Sequence, residues 1–325
     1  MSEHDAAGQR PPVLAITGPT ACGKSGLAVA IAEEFAGTVI NADSMQIYRE
    51  LPILTARPTP ADEARVPHRL YGVLSAAEAC SAERWRAMAI AEIDAALAAA
   101  RLPILVGGTG LYLRALLRGM APVPDIPPEV RESVRRRQAS LTAPALHAEL
   151  AAKDARMAAR LRPADSQRIA RALEVMEATG RSLADYQSQA DAGAGAYDAL
   201  VIATLPPRRP LYEKIDRRLA EMVATGALDE VRHLMDMHLD PSLPAMKAVG
   251  VPDLMAHLRG ETSLDQALAA AQQATRRYAK RQMTWLRHQT PKDADKVIFH
   301  HAQLSERLTP IIFNEIRQFM LTAQP

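Results

Sequence analysis

The chain has little that would hold it together covalently or carry it into a membrane. Its 325 residues contain two cysteines, Cys22 and Cys80. Two thiols make no disulfide framework and fit a reducing compartment. Cysteine and histidine form no cluster with metal-ligand spacing. No stretch approaches 18 apolar residues free of charge, so no membrane span is expected. Residues 1–12 are polar, which excludes a signal peptide and predicts a loose tail. There are no internal repeats. The formal net charge is only +2, so bulk charge announces no polyanionic partner, and any basic surface must come from local clusters. These absences leave a soluble, cytoplasmic globular protein, with nothing demanding more than a monomer.

What is present starts with Gly18-Pro19-Thr20-Ala21-Cys22-Gly23-Lys24-Ser25, a complete G-x4-G-K-S phosphate loop. An apolar run, Val13–Ile16, precedes it as a buried strand would, and an alanine-rich segment, Leu27–Phe35, follows as a helix would. Such a loop turns several backbone N–H groups toward one anion at a helix N-terminus, and its lysine adds a full positive charge. The loop therefore predicts a bound di- or triphosphate. It does not say whether that phosphate is a donor, a switch or a leaving group.

The first third continues the alternation. Gly37–Ile40 and Leu102–Val106 read as strands and Ala82–Ala100 as a helix, the pattern of a parallel α/β sheet flanked by helices. Ligands of such sheets sit at the carboxyl ends of the strands. The phosphate loop, Asn41–Ser44 and Gly107–Gly110 all follow strands, so they are expected to meet around one site. A proline-rich break at 121–128 and a glycine-containing break at 189–196 bracket an all-helical pattern: Glu129–Leu141, Ala143–Lys153, Asp154–Leu161 and Asp165–Glu177. Residues 199–205 then read as another strand of the first sheet, and 211–288 as further helix. The organisation expected is a tail (1–12), a catalytic core (13–121 and 199–325) and an inserted helical domain (122–198).

Within this frame Asp43 has three readings: a magnesium ligand, a general base beside the phosphate loop, or a turn aspartate capping backbone. Thr109 follows a strand in a Gly-rich turn, where its hydroxyl could donate to a ligand. An acidic residue expected after Leu102–Val106 in a kinase or ATPase is replaced by Gly107 and Gly108. Basic residues cluster at Arg135–Arg137, at Arg168 and Arg171, and at Arg276, Arg277, Lys280 and Arg281. Three clusters in a nearly neutral protein suggest a polyanion held at several places. Arg208 and Arg218 could instead close on bound phosphates. His68, His147, Trp85 and Trp285 read as structural.

Several segments in order resemble one family. The phosphate loop, Asn41–Tyr48, Thr55–Pro58, Pro67–Leu70, Gly107–Tyr112, Asp165–Val175, Lys247–Gly250 and Lys280–Arg287 are similar to the tRNA dimethylallyltransferases, which prenylate adenosine 37 of tRNA. The resemblance runs from about residue 13 to about 290. It implies a P-loop NTPase-like fold whose loop, Gly18 to Ser25, holds the diphosphate of dimethylallyl diphosphate. Lys24 would stabilise departing pyrophosphate, with Mg2+ bridging through Ser25. Asp43 is similar to the family's general base, Thr109 to the residue that positions the reacting groups, and Arg218 to a second pyrophosphate clamp, with Arg208 the weaker candidate. Asp43, Ser44, Met45, Gln46, Gln167, Arg168, Ile169, Ala170 and Arg171 resemble its tRNA contacts, and the helical insert would embrace the anticodon stem-loop. Cys22, Ser25, Cys80 and Val251 depart from the family pattern. Two rivals change the acceptor or the chemistry: transfer to free AMP, and a small-molecule P-loop kinase.

Overall fold

The computed structural model describes residues 10–189, 196–289, 296–305 and 307–322. They divide into two compact units, one taking in the chain up to Leu117 and again from Gly195, the other Arg118–Ala194.

In the first unit the chain runs β1 (Pro12–Thr17), α1 (Lys24–Glu34), β2 (Gly37–Asn41), α2 (Pro60–Arg65), β3 (His68–Arg69), α3 (Ala82–Ala98), β4 (Leu102–Gly107) and α4 (Gly110–Arg118). The second unit supplies α5 (Pro128–Ser140), α6 (Ala143–Lys153), α7 (Ala155–Ala158), α8 (Ser166–Thr179) and α9 (Leu183–Gln187). The first resumes with β5 (Asp198–Thr204), α10 (Arg208–Ala224), α11 (Ala227–Asp236), α12 (Val251–Leu258), α13 (Leu264–Gln289), β6 (Lys296–His300) and α14 (Thr309–Thr322).

The six strands form one sheet in the order β3-β2-β4-β1-β5-β6, and every pairing is parallel. The continuous apolar runs explain this, because a parallel sheet is covered on both faces and its strands need no polar side. All of β2 and β4 is buried. β1 sits inside the sheet, Leu14 opposite both Ile104 and Leu200. The connection from β1 leads to one side of it and β5 lies on the other, which puts the loop after β1 where the sheet opens a crevice at its carboxyl edge.

Four details differ from the expectations. Pro12, assigned to the tail, is the first residue of β1 and lies opposite Asp198, a position where a strand tolerates a missing N–H; residues 1–9 lie outside the described residues, as does 190–195 of the second break. β3 is a two-residue strand with no apolar run to announce it. β6 closes the sheet edge beyond β5. The helix expected over Asp154–Leu161 shrinks to α7: beyond it the chain tightens into three-residue turns, Arg160 N to Met157 O (3.0 Å) and Leu161 N to Ala158 O (3.2 Å), and His147 Nε2 bonds the carbonyls of Ala158 and Leu161 (3.1 and 3.0 Å).

The second unit has its own core, built from Val134, Leu146, Leu150, Met157, Ile169 and Leu173. Truncating one of these, such as Leu173, to alanine would cost about 3 kcal/mol. Its helix ends are signalled in sequence: Thr142 and Asp154 accept backbone N–H groups at the starts of α6 and α7, and Gly180 at φ 67° ends α8. No described helix in either unit is long and apolar enough to cross a membrane.

Candidate active site

The phosphate loop joins β1 to α1 through two left-handed residues, Ala21 (φ 64°) and Gly23 (φ 99°). Glycine adopts this conformation freely, whereas alanine costs about 1 kcal/mol. The loop is held there from outside. Gln303 Nε2 donates to Ala21 O (2.8 Å) and Leu304 N to Cys22 O (3.2 Å). Left-handed residues one apart turn the intervening N–H groups toward one point, a nest suited to an anion. No acidic residue stands in the first turn of α1 to compete for those groups.

Lys24 Nζ donates to the carbonyls of Gly18 (3.0 Å) and Pro19 (2.8 Å) and lies 3.8 Å from Cys22 Sγ. Arg218, from the middle of α10, donates to Thr20 Oγ1 at 2.6 Å. Burial pushes its guanidinium below the usual arginine value, while the Asp43 carboxylate acts in the opposite direction; it stays charged at any physiological pH. Gln282, buried on α13, stitches two loops together: its Oε1 accepts from Thr20 N (2.9 Å) and its Nε2 donates to Gly108 O (3.2 Å).

The segment after β2 is fixed by Asn41. Its Oδ1 accepts from Asp43 N (2.8 Å), and its Nδ2 donates to Asp43 O and Leu70 O, both at 3.0 Å. Trp85 Nε1 donates to Asn41 O (2.9 Å), and its ring stacks on Tyr112 with centroids 4.3 Å apart. Asp43 Oδ1 accepts from Met45 N (3.0 Å). That bond fits the turn reading, and it engages one of the two carboxylate oxygens. Thr109 Oγ1 accepts from Ser44 N (2.9 Å) and lies 3.3 Å from Ser44 Oγ. Gly107 permits this approach of β4 to β2, since a Cβ there would sit 2.0 Å from Ala42 O.

Two cavities meet at this carboxyl edge. The first, 310 Å³, is lined by the phosphate loop from Thr20 to Gly26, with Arg57, Lys214 and Arg218 as its further cations. The second, 230 Å³, has apolar walls from Leu54, Ile215, Leu219, Met222 and Val249. Thr20, Asp43, Thr55 and Arg218 line both. A carboxylate and a guanidinium thus stand where a polar, anion-accepting space adjoins an apolar one. Tyr278 lines the second cavity, and burial pushes its phenol well above the usual tyrosine range, so it remains a proton donor. Arg281 lies over its ring, 5.7 Å from the centroid.

The sequence model of the IPP transferase family matches residues 46–289, three quarters of the chain. The chain belongs to the IPP transferase family. This IPP transferase is 53% identical over 312 residues to a tRNA dimethylallyltransferase from Paramagnetospirillum magneticum, covering 96% of this chain and 98% of that one. It is 55% identical over 279 residues to one from Rhodospirillum centenum, covering 86% and 89%. Among solved structures it resembles a tRNA isopentenylpyrophosphate transferase from Bacillus halodurans (31% identity, TM-score 0.70, 97% and 98% covered). It shares its fold with a eukaryotic dimethylallyltransferase acting on tRNA (24% identity, TM-score 0.80, 97% and 80% covered).

Against the sequence expectations, the three loop segments of the IPP transferase do converge. Thr20 through Ser25 line the first cavity, while Gly18 and Pro19 serve Lys24 through their carbonyls. Asp43 and Gln46 also line that cavity, and Ser44 and Met45 the second. Thr109 reaches Ser44 and lines neither cavity, and Arg208 is exposed at the start of α10. On α8 of the other unit Gln167 and Arg168 are exposed, and Arg171 pairs with Glu174 at 3.1 Å. Ile169 and Ala170, expected among the contacts, are instead part of that unit's core, 0% and 5% exposed. Sequence reasoning misses Gln282, Arg57, Lys214 and Tyr278. Gln282 does carry a signal: it is a polar residue at a core position of the Ala279, Met283, Leu286 stripe.

Proposed function

We propose that this chain transfers a dimethylallyl group from dimethylallyl diphosphate to the N6 amine of adenosine 37 in tRNA, releasing diphosphate. The observation that carries the reading is Asp43 on the wall common to both cavities, with the phosphate-loop cations on one side and apolar walls on the other. The diphosphate would lie in the first cavity and the adenine and five-carbon chain in the second.

An adenine amine is a weak nucleophile, so the reaction depends on its leaving group. N6 attacks the allylic C1, the C1–O bond breaks with its electron pair going to diphosphate, and the N6 proton passes to the Asp43 carboxylate. Lys24, Arg218 and the loop N–H groups are fixed before reaction and neutralise charge as it develops on the bridging oxygen. Asn41 and Thr109 hold the turn bearing Asp43, so the base arrives in place. The adenine must leave its stack to reach this crevice, which suits an adenosine in an anticodon loop.

The oxygen donors fit Mg2+, which takes few protein ligands alongside phosphate oxygens and waters. Ser25 lines the first cavity and would hold it; the ion would supply further neutralisation of the diphosphate. The insert, through Gln167, Arg168 and Arg171, would bind the anticodon stem-loop. We assign the enzyme to the cytoplasm as a monomer. Incubation with tRNA and labelled dimethylallyl diphosphate tests the function, with ATP as control donor. Label is expected in N6-prenylated adenosine; phosphoryl transfer from ATP without prenyl transfer would sink the reading.

A further inference from the structure

The segment 51–57 separates the two cavities: Thr55, Ala56 and Arg57 line the first, and Leu54 and Thr55 the second. It has no helix or strand, yet many of its backbone polar groups are bonded. Arg57 N donates to Pro52 O (3.0 Å) and Ala56 N to Ile53 O (2.9 Å). The carbonyls of Thr55 and Ala56 both accept from Gln46 Nε2, at 2.8 and 3.0 Å. The N–H groups of Ile53 and Leu54 donate to the two carboxylate oxygens of Glu230, the latter at 2.9 Å.

Glu230 lies in the first turn of α11 and is 9% exposed. Burying a carboxylate is costly unless its charge is met. No ion pair compensates it among the described residues; instead it meets two N–H groups and the positive end of its own helix. Burial raises its carboxyl above the usual 4.5, while those two N–H bonds and nearby Arg57 pull it back. The contact spans 177 residues of sequence, so a side chain of α11 determines where a substrate-lining loop rests. Gly226, just before α11, brings the helix start close enough that a Cβ there would meet Ile53 Cδ1 at 3.1 Å.

We propose that Glu230 is a positioning residue for prenyl transfer: holding Ile53 and Leu54 while Gln46 holds Thr55 and Ala56, it clamps segment 51–57 in the place that shapes the diphosphate cavity. A shift of the loop by about an ångström is enough to cost one to two orders of magnitude in rate. The proposal rests on the assignment of the first cavity to the diphosphate.

The test uses the full-length enzyme. Glu230→Gln keeps the shape but turns an amide donor toward one of the two N–H groups. Expected are amide exchange about tenfold faster within 51–57, a KM for dimethylallyl diphosphate raised about tenfold, and a smaller change in the KM for tRNA, whose adenine alone meets this segment at Leu54 and Thr55. Glu230→Asp keeps the charge with less reach, and it should recover part of the lost KM; it also serves should the glutamine variant fail to fold. Exchange that stays slow would overturn the clamp. Faster exchange with an unaltered KM would overturn its bearing on catalysis. A wild-type enzyme that does not bind dimethylallyl diphosphate overturns the cavity assignment itself, a failure visible before any variant is made.

Discussion

The charged side chains at the cavities of the first unit and those joining α5, α6 and α8 in the second are treated in opposite ways, although the first unit also pairs charges away from its cavities, as in Arg65 with Glu33. In the first, Lys24 donates to backbone carbonyls, Arg218 to a threonine hydroxyl, and Asp43 accepts from a backbone N–H. None of the three is in an ion pair among the described residues. In the second, Arg137 bridges Glu149 and Glu177, and Lys153 bonds the same two carboxylates. Arg136 pairs with Glu132 and Arg156 with Asp185. A cation resting on neutral dipoles keeps its charge for an incoming anion. One matched by carboxylates has already committed most of it to the fold. Runs of arginine that look alike in sequence therefore differ in purpose.

The contrast is most exposed to test at the cavities. Asp43→Ala is expected to lower kcat for prenyl transfer about 1,000-fold, as loss of a general base does, while tRNA binding and the unfolding midpoint hold. Turnover close to wild type would remove Asp43 from the chemistry. Arg218→Ala is expected to cost about 100-fold in kcat/KM for dimethylallyl diphosphate, again with little change in stability. If stability fell and kinetics did not, Arg218 would belong with the paired cations and the contrast would fail at its centre.

What is legible in the sequence is local. The phosphate loop is a contiguous motif between a strand and a helix, and Asp43 and Thr109 each follow an apolar run, so order along the chain predicts nearness in space. Three kinds of information are not local. Gln282, Gln303 and Glu230 reach segments far away in sequence, and no window of sequence contains both partners. β3 is too short for any periodicity. The stretch 167–171 reads as one binding surface when taken as a string, but consecutive helical residues point in all directions. The 3.6-residue period puts Gln167, Arg168 and Arg171 on one side and turns Ile169 and Ala170 into the core.

The same contrast between free and matched cations recurs within α8. Arg168 is exposed and has no carboxylate partner among the described residues, whereas Arg171 is tied to Glu174. Removing one phosphate-binding cation lowers the slope of log affinity against log salt by about 0.7 to 0.9. Arg168→Ala is expected to weaken tRNA binding several-fold and to flatten the slope by that amount. Arg171→Ala is expected to do less, since its charge is already met. Filter binding over a range of salt measures both. Equal effects would mean that an exposed pair yields its arginine to RNA without penalty, and an unaltered slope in both would count against the insert as a tRNA clamp.

The smallest expected effect concerns the paired network and tests its other half. Burial raises the Glu177 carboxyl, but hydrogen bonds from Arg137 and Lys153 outweigh this and hold it below the usual 4.5. A carboxyl lowered by folding binds its proton more readily when unfolded. Its stabilisation is therefore complete above pH 4.5, and it is lost as pH falls through the lower folded value. The pair is partly exposed, so its worth is put at about 1 kcal/mol. Urea unfolding of the whole enzyme, compared with Glu177→Gln at a series of pH values, isolates this contribution from the other carboxylates. The wild type is expected to be the more stable near neutrality, with the two curves converging in acid as Glu177 takes up its proton. A gap that stays constant with pH would mean that the ionisation of Glu177 contributes nothing to stability. The insert's cations would then be as free for RNA as those of the cradle are for diphosphate.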